Sequence, residues 1–557
     1  MKKAILELLK MNIKSRNDLM MAKRRIAKKY GLGLLLNSDI LAEYQRLTAQ
    51  GKIKRSQQLE EILRKRSIRT LSGIAPVAVL TKPYPCPGHC AYCPTEKNVP
   101  QSYLSNEPAV MRAIRCDYDP YRQVQDRLRA LIANGHEPTK IELIVIGGTW
   151  SVLPEKYKYW FITNCFKAAN DYSKKYPRIY KLNTPPATGQ ANLQITNQIK
   201  QNEKIEILKQ KLKQEQRKNE KAEYKIIGLT LETRPDYINE KEISQMRELG
   251  ATRVEIGVQA IDDNILNLNR RGHGVAEIVA ATKLLKDYGF KVTYHIMPGL
   301  PGSTPARDFK MFQQLFTDER FQPDQIKFYP TVVTRGSLLY KWWRAGKYKP
   351  YSQTRLNNLI IKCKQIVPPY VRIIRLIRDI PEESIIAGNR ITNLRQIMKE
   401  RGVKCRCIRC REAREEKFKI QNSKFKIIKY KASDGDEHFL SYENTNGEVL
   451  YGFCRLRLPD KTVLEIAGKK QPNKLTATLD KAALIRELHV YGRLMPVGKK
   501  GQVQHLGLGK KLMAKAEKIA RQKGYRKMVV IAGVGVRDYY RSLGYRLQNT
   551  YMVKLLK

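Results

Sequence analysis

No apolar run in this 557-residue chain approaches the roughly 20 residues that a membrane-spanning helix requires. The opening stretch MKKAILELLKMNIKSR starts on bases, but Glu7 and Lys10 break its apolar part, which excludes a secretion-signal core and leaves an amphipathic helix. Acidic side chains are in short supply: 52 Asp and Glu face 105 Lys and Arg, a formal net charge of +53. That deficit makes a polyanion the expected partner, nucleic acid ahead of a membrane surface. A disulfide framework is also missing. Of ten cysteines, six stand in two tight triplets, a spacing that suits metal sites in a reducing cytosol, so a cytoplasmic protein is expected.

What is present allows about three or four domains by length, and hydrophobic residues at 42% are enough for sizeable cores. Residues 1–30 carry ten Lys or Arg against Glu7 and Asp18, and apolar residues at Ile5, Leu8, Leu9, Leu19, Met20 and Ile26 fit short helices with bases outward. A solvated helical face would look the same. A second basic block from Lys52 to Arg69 favours a nucleic-acid grip instead.

The most informative stretch is Pro85 to Pro94, PCPGHCAYCP. A C-x3-C-x2-C triplet at Cys86, Cys90 and Cys93 on a Gly/Pro loop can ligate three irons of a 4Fe-4S cube and leave the fourth open to S-adenosylmethionine. A zinc knuckle or buried thiols are the alternatives. Ile74–Leu80 reads as the strand that delivers this loop, and further strands are expected at 141–146, 226–231, 253–258 and 292–297, separated by helices such as Lys241–Leu249 and Ala276–Tyr288. Gly147, Gly148 and Thr149 follow one strand, where a glycine pair lets backbone approach a ligand such as the methionine amine of S-adenosylmethionine. Glu232 and Gln259 stand at the ends of two others, the position where an α/β barrel builds its site, and are assigned to the same cofactor. Lys174–Lys225 interrupts the pattern; Ile205, Leu208 and Leu212 are expected on one exposed helix, the rest on a loop, with no chemistry.

Trp342, Trp343, Arg344, Tyr348 and Tyr351 form an aromatic, basic stretch that fits base stacking and core packing equally. Cys405, Cys407 and Cys410 form the second triplet, a zinc site lacking an identified fourth ligand, for which Cys363 is a poor candidate; a second iron–sulfur cluster competes. From about residue 426 antiparallel strands are expected, at 439–442, 450–458 and 483–490, and then Gln504-His505-Leu506-Gly507-Leu508-Gly509 opens a helix over Lys510–Lys523. Such a helix start presents N–H groups to a pyrophosphate. With a strand at Met528–Ala532 and the segment Tyr539–Tyr545, it resembles the coenzyme A site of GNAT acetyltransferases, in which a tyrosine can protonate the leaving thiolate.

Taken together with EPAVMRAIRCDYDPY (107–121), LETRPDY (231–237), EIGVQ (255–259), KFYPT (327–331), RELHVYG (486–492) and GYRLQNTYMVKLLK (544–557), these features resemble the Elongator catalytic subunit and its stand-alone prokaryotic relatives, the tRNA uridine acetyltransferases. The resemblance covers roughly residues 70–557. The three-residue first gap of the Cys86 triplet is shorter than in eukaryotic members, and 174–225 looks inserted; neither removes a functional residue, and the short gap and lean length point to a stand-alone prokaryotic enzyme. It implies an α/β fold: a basic helical segment (1–70), a radical-SAM partial (β/α) barrel (71–395), a Cys-rich zinc linker (396–425) and a GNAT-type acetyltransferase domain (426–557). It implies a 4Fe-4S cluster on Cys86, Cys90 and Cys93, S-adenosylmethionine, and acetyl-CoA held by Lys140, Glu487, Leu488, His489, Val490, Leu508, Gly509, Lys510 and Tyr540, with Tyr540 and His489 catalytic. The implied partners are the tRNA anticodon arm and an unidentified electron donor, without obligatory Elongator subunits. The implied reaction attaches a carboxymethyl-type group to carbon 5 of the wobble uridine; a protein lysine acetyltransferase with a structural cluster is the rival.

Overall fold

The computed structural model describes residues 1–64, 73–172, 203–391, 393–413, 423–460, 473–492 and 507–556. Gln504, His505 and Leu506, the end of the Lys52–Arg69 block and residues 174–202 of the interruption lie outside them. No helix among the described residues is long and apolar enough to cross a membrane.

Four helices, Lys2–Leu9, Arg16–Tyr30, Asn37–Ala49 and Gln57–Leu63, make an N-terminal unit with its own core. Ser15 and Asp18 form a capping box that starts the second helix, and Gly31 in the left-handed region ends it. Ile5, Leu8, Leu19, Ile26, Ile40 and Tyr44 turn inward. Arg24, Arg25, Lys28 and Lys29 face water, whereas Lys23 is buried and donates to Asn37 Oδ1 over 2.9 Å.

The barrel is a seven-stranded parallel sheet in the order β1 (Ala75–Leu80), β2 (Lys140–Ile146), β3 (Lys225–Thr233), β4 (Arg253–Gln259), β5 (Lys291–Ile296), β6 (Gln325–Phe328) and β8 (Arg372–Arg375). Between the last two lies β7 (Val333–Thr334), paired with β9 (Ile385–Ala387). The five strands expected from sequence are present; β6 and β8 are additional, each only four residues long and flanked by bases, below the length at which a periodic signal stands out. Both faces of a parallel sheet are covered, so the strands read as apolar runs, and outer helices such as Glu155–Asp171 supply Phe161, Ile162 and Phe166 to the core.

One expectation is corrected here, and one left open is decided for two of its residues. The helix after the interruption, Ile205–Lys221, is not an exposed one: Leu208, Leu212, Gln216 and Asn219 recur at helical spacing and are buried against the Glu155–Asp171 helix, and Asn219 Oδ1 accepts from Ile226 N at the start of β3 (2.7 Å). It is a regular barrel helix whose long polar side chains mask its inner stripe. In the aromatic stretch, Tyr348 donates to Gly299 O (2.7 Å) and Tyr351 to Asp308 (2.7 Å), so both tie down the loop after β5 and belong to the core; Trp342 and Trp343 are half-buried.

The C-terminal sheet runs β10 (Lys424–Lys431), β11 (Gly435–Glu443), β12 (Leu450–Pro459), β13 (Ala483–Val490), β14 (Lys527–Val530), then β16 (Tyr551–Leu555) and the edge strand β15 (Arg546–Gln548). It is antiparallel except for β13 and β14, which pair in parallel only from Ala483/Met528 to Ile485/Val530. Strand β12 alternates. Cys454, Leu456 and Leu458 face the sheet's own core, while Arg455 and Arg457 face the barrel. There the two units are joined by a buried lattice of charges: Arg486 forks onto Asp324 (2.6 and 2.7 Å) and reaches Glu437 (3.0 Å), Arg457 meets Asp287 and Glu437, and Arg455 meets Glu487 (3.0 Å). All members but Glu487, which also borders the cavities described below, are fully desolvated, so each charge depends on the others and on backbone carbonyls such as Phe290 O and Tyr370 O.

Candidate active site

The two ends of the barrel face different things. At the C-terminal ends of its strands lies the loop of Cys86, Cys90 and Cys93; at the N-terminal ends lies the C-terminal sheet. The loop is pinned by backbone bonds from Ala91 N to Asn269 O (3.0 Å), from Cys93 N to Cys90 O (3.1 Å) and from Leu339 N to Ala91 O (2.7 Å). All three thiols are free and half-buried, and burial pushes the Cys93 thiol up to about 12. Three thiolates on one tetrahedral ion stand ~3.8 Å apart given Zn–S near 2.3 Å. This triplet is wider, for it does not form one of the compact ligand groups that Cys405, Cys407 and Cys410 do, whose sulfurs lie within 4.8 Å of one another. The second triplet thus fits a single ion, and the first supplies on one loop the three free thiols that a cube with one open corner needs. Cys363 is buried in the barrel core and takes no part in the second group.

The glycine pair sits beside the loop. Gly147 and Gly148 both have positive φ (132° and 87°), a Cβ on Gly147 would stand 2.2 Å from Thr81 Oγ1, and Thr149 Oγ1 lies 3.6 Å from Cys86 Sγ. Glu232 ends β3 and accepts from the Tyr103 hydroxyl (3.2 Å). Gln259, at φ 67°, ends β4, and its buried side-chain oxygen has no hydrogen-bond partner. An orphaned acceptor at the mouth of a cavity fits a ligand rather than a finished core.

Below these residues the barrel interior is hollow. A cavity of 940 Å³ extends from Tyr92 and Gln259 down to Glu142, Lys291, Glu487 and His489. Alternate strand positions line it: Arg253 and Glu255 on β4, Lys291 and His295 on β5, Gln325 and Lys327 on β6. Glu255 accepts from His295 Nε2 (2.8 Å) and pairs with Lys327. Burial alone would raise its carboxyl, but Lys327, His295 and Arg253 more than offset that and hold it well below the carboxylate range. His295, Glu255 and Lys327 are absent from the residues that sequence singled out as site residues. Their signal was a charge at every second position of strands flanked by helices, which an apolar parallel strand does not carry.

On the far side a second cavity, of 390 Å³, lies between barrel and sheet. Past Ile485 strand β13 has lost β14 as a neighbour and keeps only β12, so Glu487, Leu488, His489 and Val490 present a backbone edge to this cavity. Gly507, left-handed at φ 77°, caps the Leu508–Gln522 helix without a side-chain cap, leaving first-turn N–H groups directed at the same space. Gly509 leaves room for Tyr539, whose hydroxyl would stand 2.6 Å from a Cβ there. Lys140, from the barrel, lines the wall, and burial lowers its ammonium to about 8. Tyr540 is buried in the Arg537–Arg541 turn, which Glu220 braces through Arg537 (3.0 Å) and Arg541 (2.7 Å); burial pushes its hydroxyl well above the usual phenol range, so it stays protonated. Of the residues expected at acetyl-CoA, Lys140, Glu487, Leu488, His489, Val490, Gly509, Lys510 and Tyr540 therefore line one cleft, while the Leu508 side chain packs into the core beside it.

The two cavities share a wall made of Ile74, Glu142, Lys291, Glu487 and His489. Glu487 is paired there with Lys291 (3.3 Å). Burial would raise the Glu487 carboxyl, but Lys291 and Arg455 bring it down to about 2.

Comparison with known proteins accords with this two-ended design. The Radical SAM superfamily matches residues 84–314, the Radical_SAM C-terminal domain 323–402 and the Acetyltransferase (GNAT) family 407–545. The tRNA uridine(34) acetyltransferase of Dehalococcoides mccartyi is 43% identical over 88% of this chain and 100% of its own length. That of Methanocaldococcus jannaschii is 40% identical over 95% and 92%, and human Elongator complex protein 3 is 37% identical over 97% and 93%. The solved structure of archaeal Methanocaldococcus infernus Elp3 with an N-terminal deletion superimposes with a TM-score of 0.68 at 37% identity, covering 87% of this chain and 100% of that one.

Proposed function

The chain belongs to the family of the tRNA uridine(34) acetyltransferases and Elongator complex protein 3, radical-SAM enzymes with a GNAT domain, and from that premise we propose that it builds a carboxymethyl-type group on carbon 5 of the wobble uridine of tRNA. A cluster on Cys86, Cys90 and Cys93 with S-adenosylmethionine would supply, when bound, a deoxyadenosyl radical able to take hydrogen from the methyl of acetyl-CoA. That chemistry suits the acceptor: the enolate that acid–base groups can draw from acetyl-CoA is a nucleophile and uridine carbon 5 is itself electron-rich, whereas a carbon radical adds there. The carbon so activated adds to uridine carbon 5; the carbon-5 proton leaves and the remaining unpaired electron would pass to the oxidised cluster, restoring the 5,6 double bond, and water then hydrolyses the thioester to the carboxymethyl group and free coenzyme A.

The chain's own side chains hold the parts. Lys140 meets a phosphate of acetyl-CoA, the first turn at Leu508, Gly509 and Lys510 cradles the pyrophosphate, and the open edge of Glu487 to Val490 pairs with the pantetheine amides. His489 stands at the wall between the cavities, where the acetyl end arrives. Tyr540, kept protonated, donates to the departing thiolate. Gly147, Gly148, Thr149, Glu232 and Gln259 receive S-adenosylmethionine. The polar barrel lining gives an extruded base donors and acceptors. Cys405, Cys407 and Cys410 hold zinc, a structural site.

The observation that carries this reading is the shared wall at Glu487 and His489, which puts the acyl donor's cleft and the barrel interior in contact. Strands of six or seven residues at ~3.3 Å each make the barrel about 20 Å deep, within reach of a pantetheine arm entering from one end and a nucleobase from the other. Anaerobic incubation of reconstituted enzyme with tRNA, S-adenosylmethionine, reductant and acetyl-CoA, followed by nucleoside mass spectrometry, is expected to show the added mass on uridine. No added mass with full iron content sinks the reading.

A further inference from the structure

The chain turns back on itself after the Asp263–Leu268 helix, with Arg270 at φ 54° and Gly272 at φ 72°. That turn delivers Arg271 into the protein beneath the cysteine loop, and Ala91 N bonds back to Asn269 O, so loop and turn are held in fixed relation. The Arg271 side chain is buried. Its Nη1 donates to Cys90 Sγ over 3.3 Å and its Nη2 to Gly257 O over 2.6 Å, while Nε has no partner. Among the described residues it forms no ion pair with a carboxylate, unlike Arg234, whose Nε and Nη2 are satisfied by Asp236. A buried guanidinium without a carboxylate in contact is costly unless another anion is present; Asp236 acts on it only from a distance, and the group it touches directly is the Cys90 sulfur. Space has been cleared for it: a Cβ on Gly257 would stand 2.6 Å from Arg271 Nη2.

We propose that Arg271 is a positioning residue that sets the reduction potential of the iron–sulfur cluster by donating a hydrogen bond to the thiolate of Cys90. This rests on the reading of Cys86, Cys90 and Cys93 as cluster ligands. A hydrogen bond and a positive charge at a ligand sulfur stabilise the cluster state with one more electron, because that state places more negative charge on sulfur. Arg271 therefore raises the potential and eases entry of the electron. The couple is a one-electron reduction, the electron coming from a mediator dye in the test below and from the cell's donor in use.

Reconstituted enzyme, free of S-adenosylmethionine, acetyl-CoA and tRNA, is titrated anaerobically with mediators while the reduced cluster is followed by EPR and iron is assayed. Arg271→Met is expected to keep its iron and to show about a tenfold lower ratio of reduced to oxidised cluster at a fixed potential, about 59 mV for a one-electron couple. Gly257→Ala, which crowds Arg271 off its carbonyl without touching the loop, is expected to shift the same way by less. An unchanged ratio in Arg271→Met with full iron overturns the proposal. If Arg271→Met loses its iron, Gly257→Ala decides, an unchanged ratio again counting against it. Loss of iron from both overturns it too, since Arg271 is then a strut of the loop. Wild-type protein that holds no iron defeats the cluster reading itself, which is a different failure.

Discussion

The surroundings of Lys140 work against its charge. Burial lowers its ammonium to about 8, so in the free enzyme the positive form is complete well below that pH and is lost as pH rises through it. Coenzyme A binding, measured by calorimetry, is expected to weaken as pH rises from about 7 to 9, and the slope is expected to flatten in Lys140→Met. Tyr540 belongs to the same cleft but to a different step. Tyr540→Phe keeps the ring and loses the proton, so tRNA-dependent release of coenzyme A is expected to fall by about 10²–10⁴-fold, the range for loss of a general acid, with coenzyme A affinity retained. Uniform loss of affinity and rate would assign Tyr540 to packing alone. Single residues were readable where a spacing constrained them: the triplets at Cys86 and Cys405 and the glycines at 147 and 507 each stand at a turn that needs them. Arg271 and Glu220 were not, because their partners, Cys90 and the Arg537–Arg541 turn, lie 181 and more than 300 positions away.

Elements were legible to the extent that their burial is one-sided. The Leu508–Gln522 helix, with Leu512, Met513, Ala516 and Ala520 inward, announces itself. Strand β12 misleads, for the alternation in Cys454-Arg455-Leu456-Arg457-Leu458 reads as one apolar face and one wet one, whereas both are buried. The barrel's Asp287 and Asp324, with Glu437 and Glu487 of the sheet, show why arginines face inward, and sequence does not place these partners opposite. Asp324→Asn leaves Arg486, Arg455 and Lys286 short of a counter-charge, and a cost of about 3–5 kcal/mol is expected, seen as a lowered midpoint in thermal melts. The acid limit follows from the same groups. Arg486 and its neighbours offset the burial that would raise Asp324 and Glu437 and hold both below the carboxylate range, while Lys291 and Arg455 bring Glu487 down to about 2. Their stabilisation is complete above the ordinary carboxylate range near 4, and is lost only as pH falls towards 2.

At the scale of the molecule the charge of +53 is spread unevenly. The described N-terminal helices present Arg24, Arg25, Lys28 and Lys29 to water on a compact unit of their own. If that face grips phosphates, log K for tRNA falls linearly with log salt, and replacing these four bases by Gln is expected to reduce the slope by about 3–4 units, near 0.9 for each duplex phosphate left unneutralised, while leaving acetyl-CoA binding unchanged. An unchanged slope removes the face from the interface. The lattice that joins barrel and sheet has a further consequence during synthesis. The barrel's last strand ends at Arg375, and Arg486 lies 111 residues later, on the order of 10 s of translation at ~5–20 residues per second. Through that interval Asp324 and Asp287 remain hydrated at the mouth of an unsealed barrel, so docking of the late sheet must strip their water, and ribosome-bound chains stopped before Arg486 are expected to be open to protease where the finished enzyme is closed.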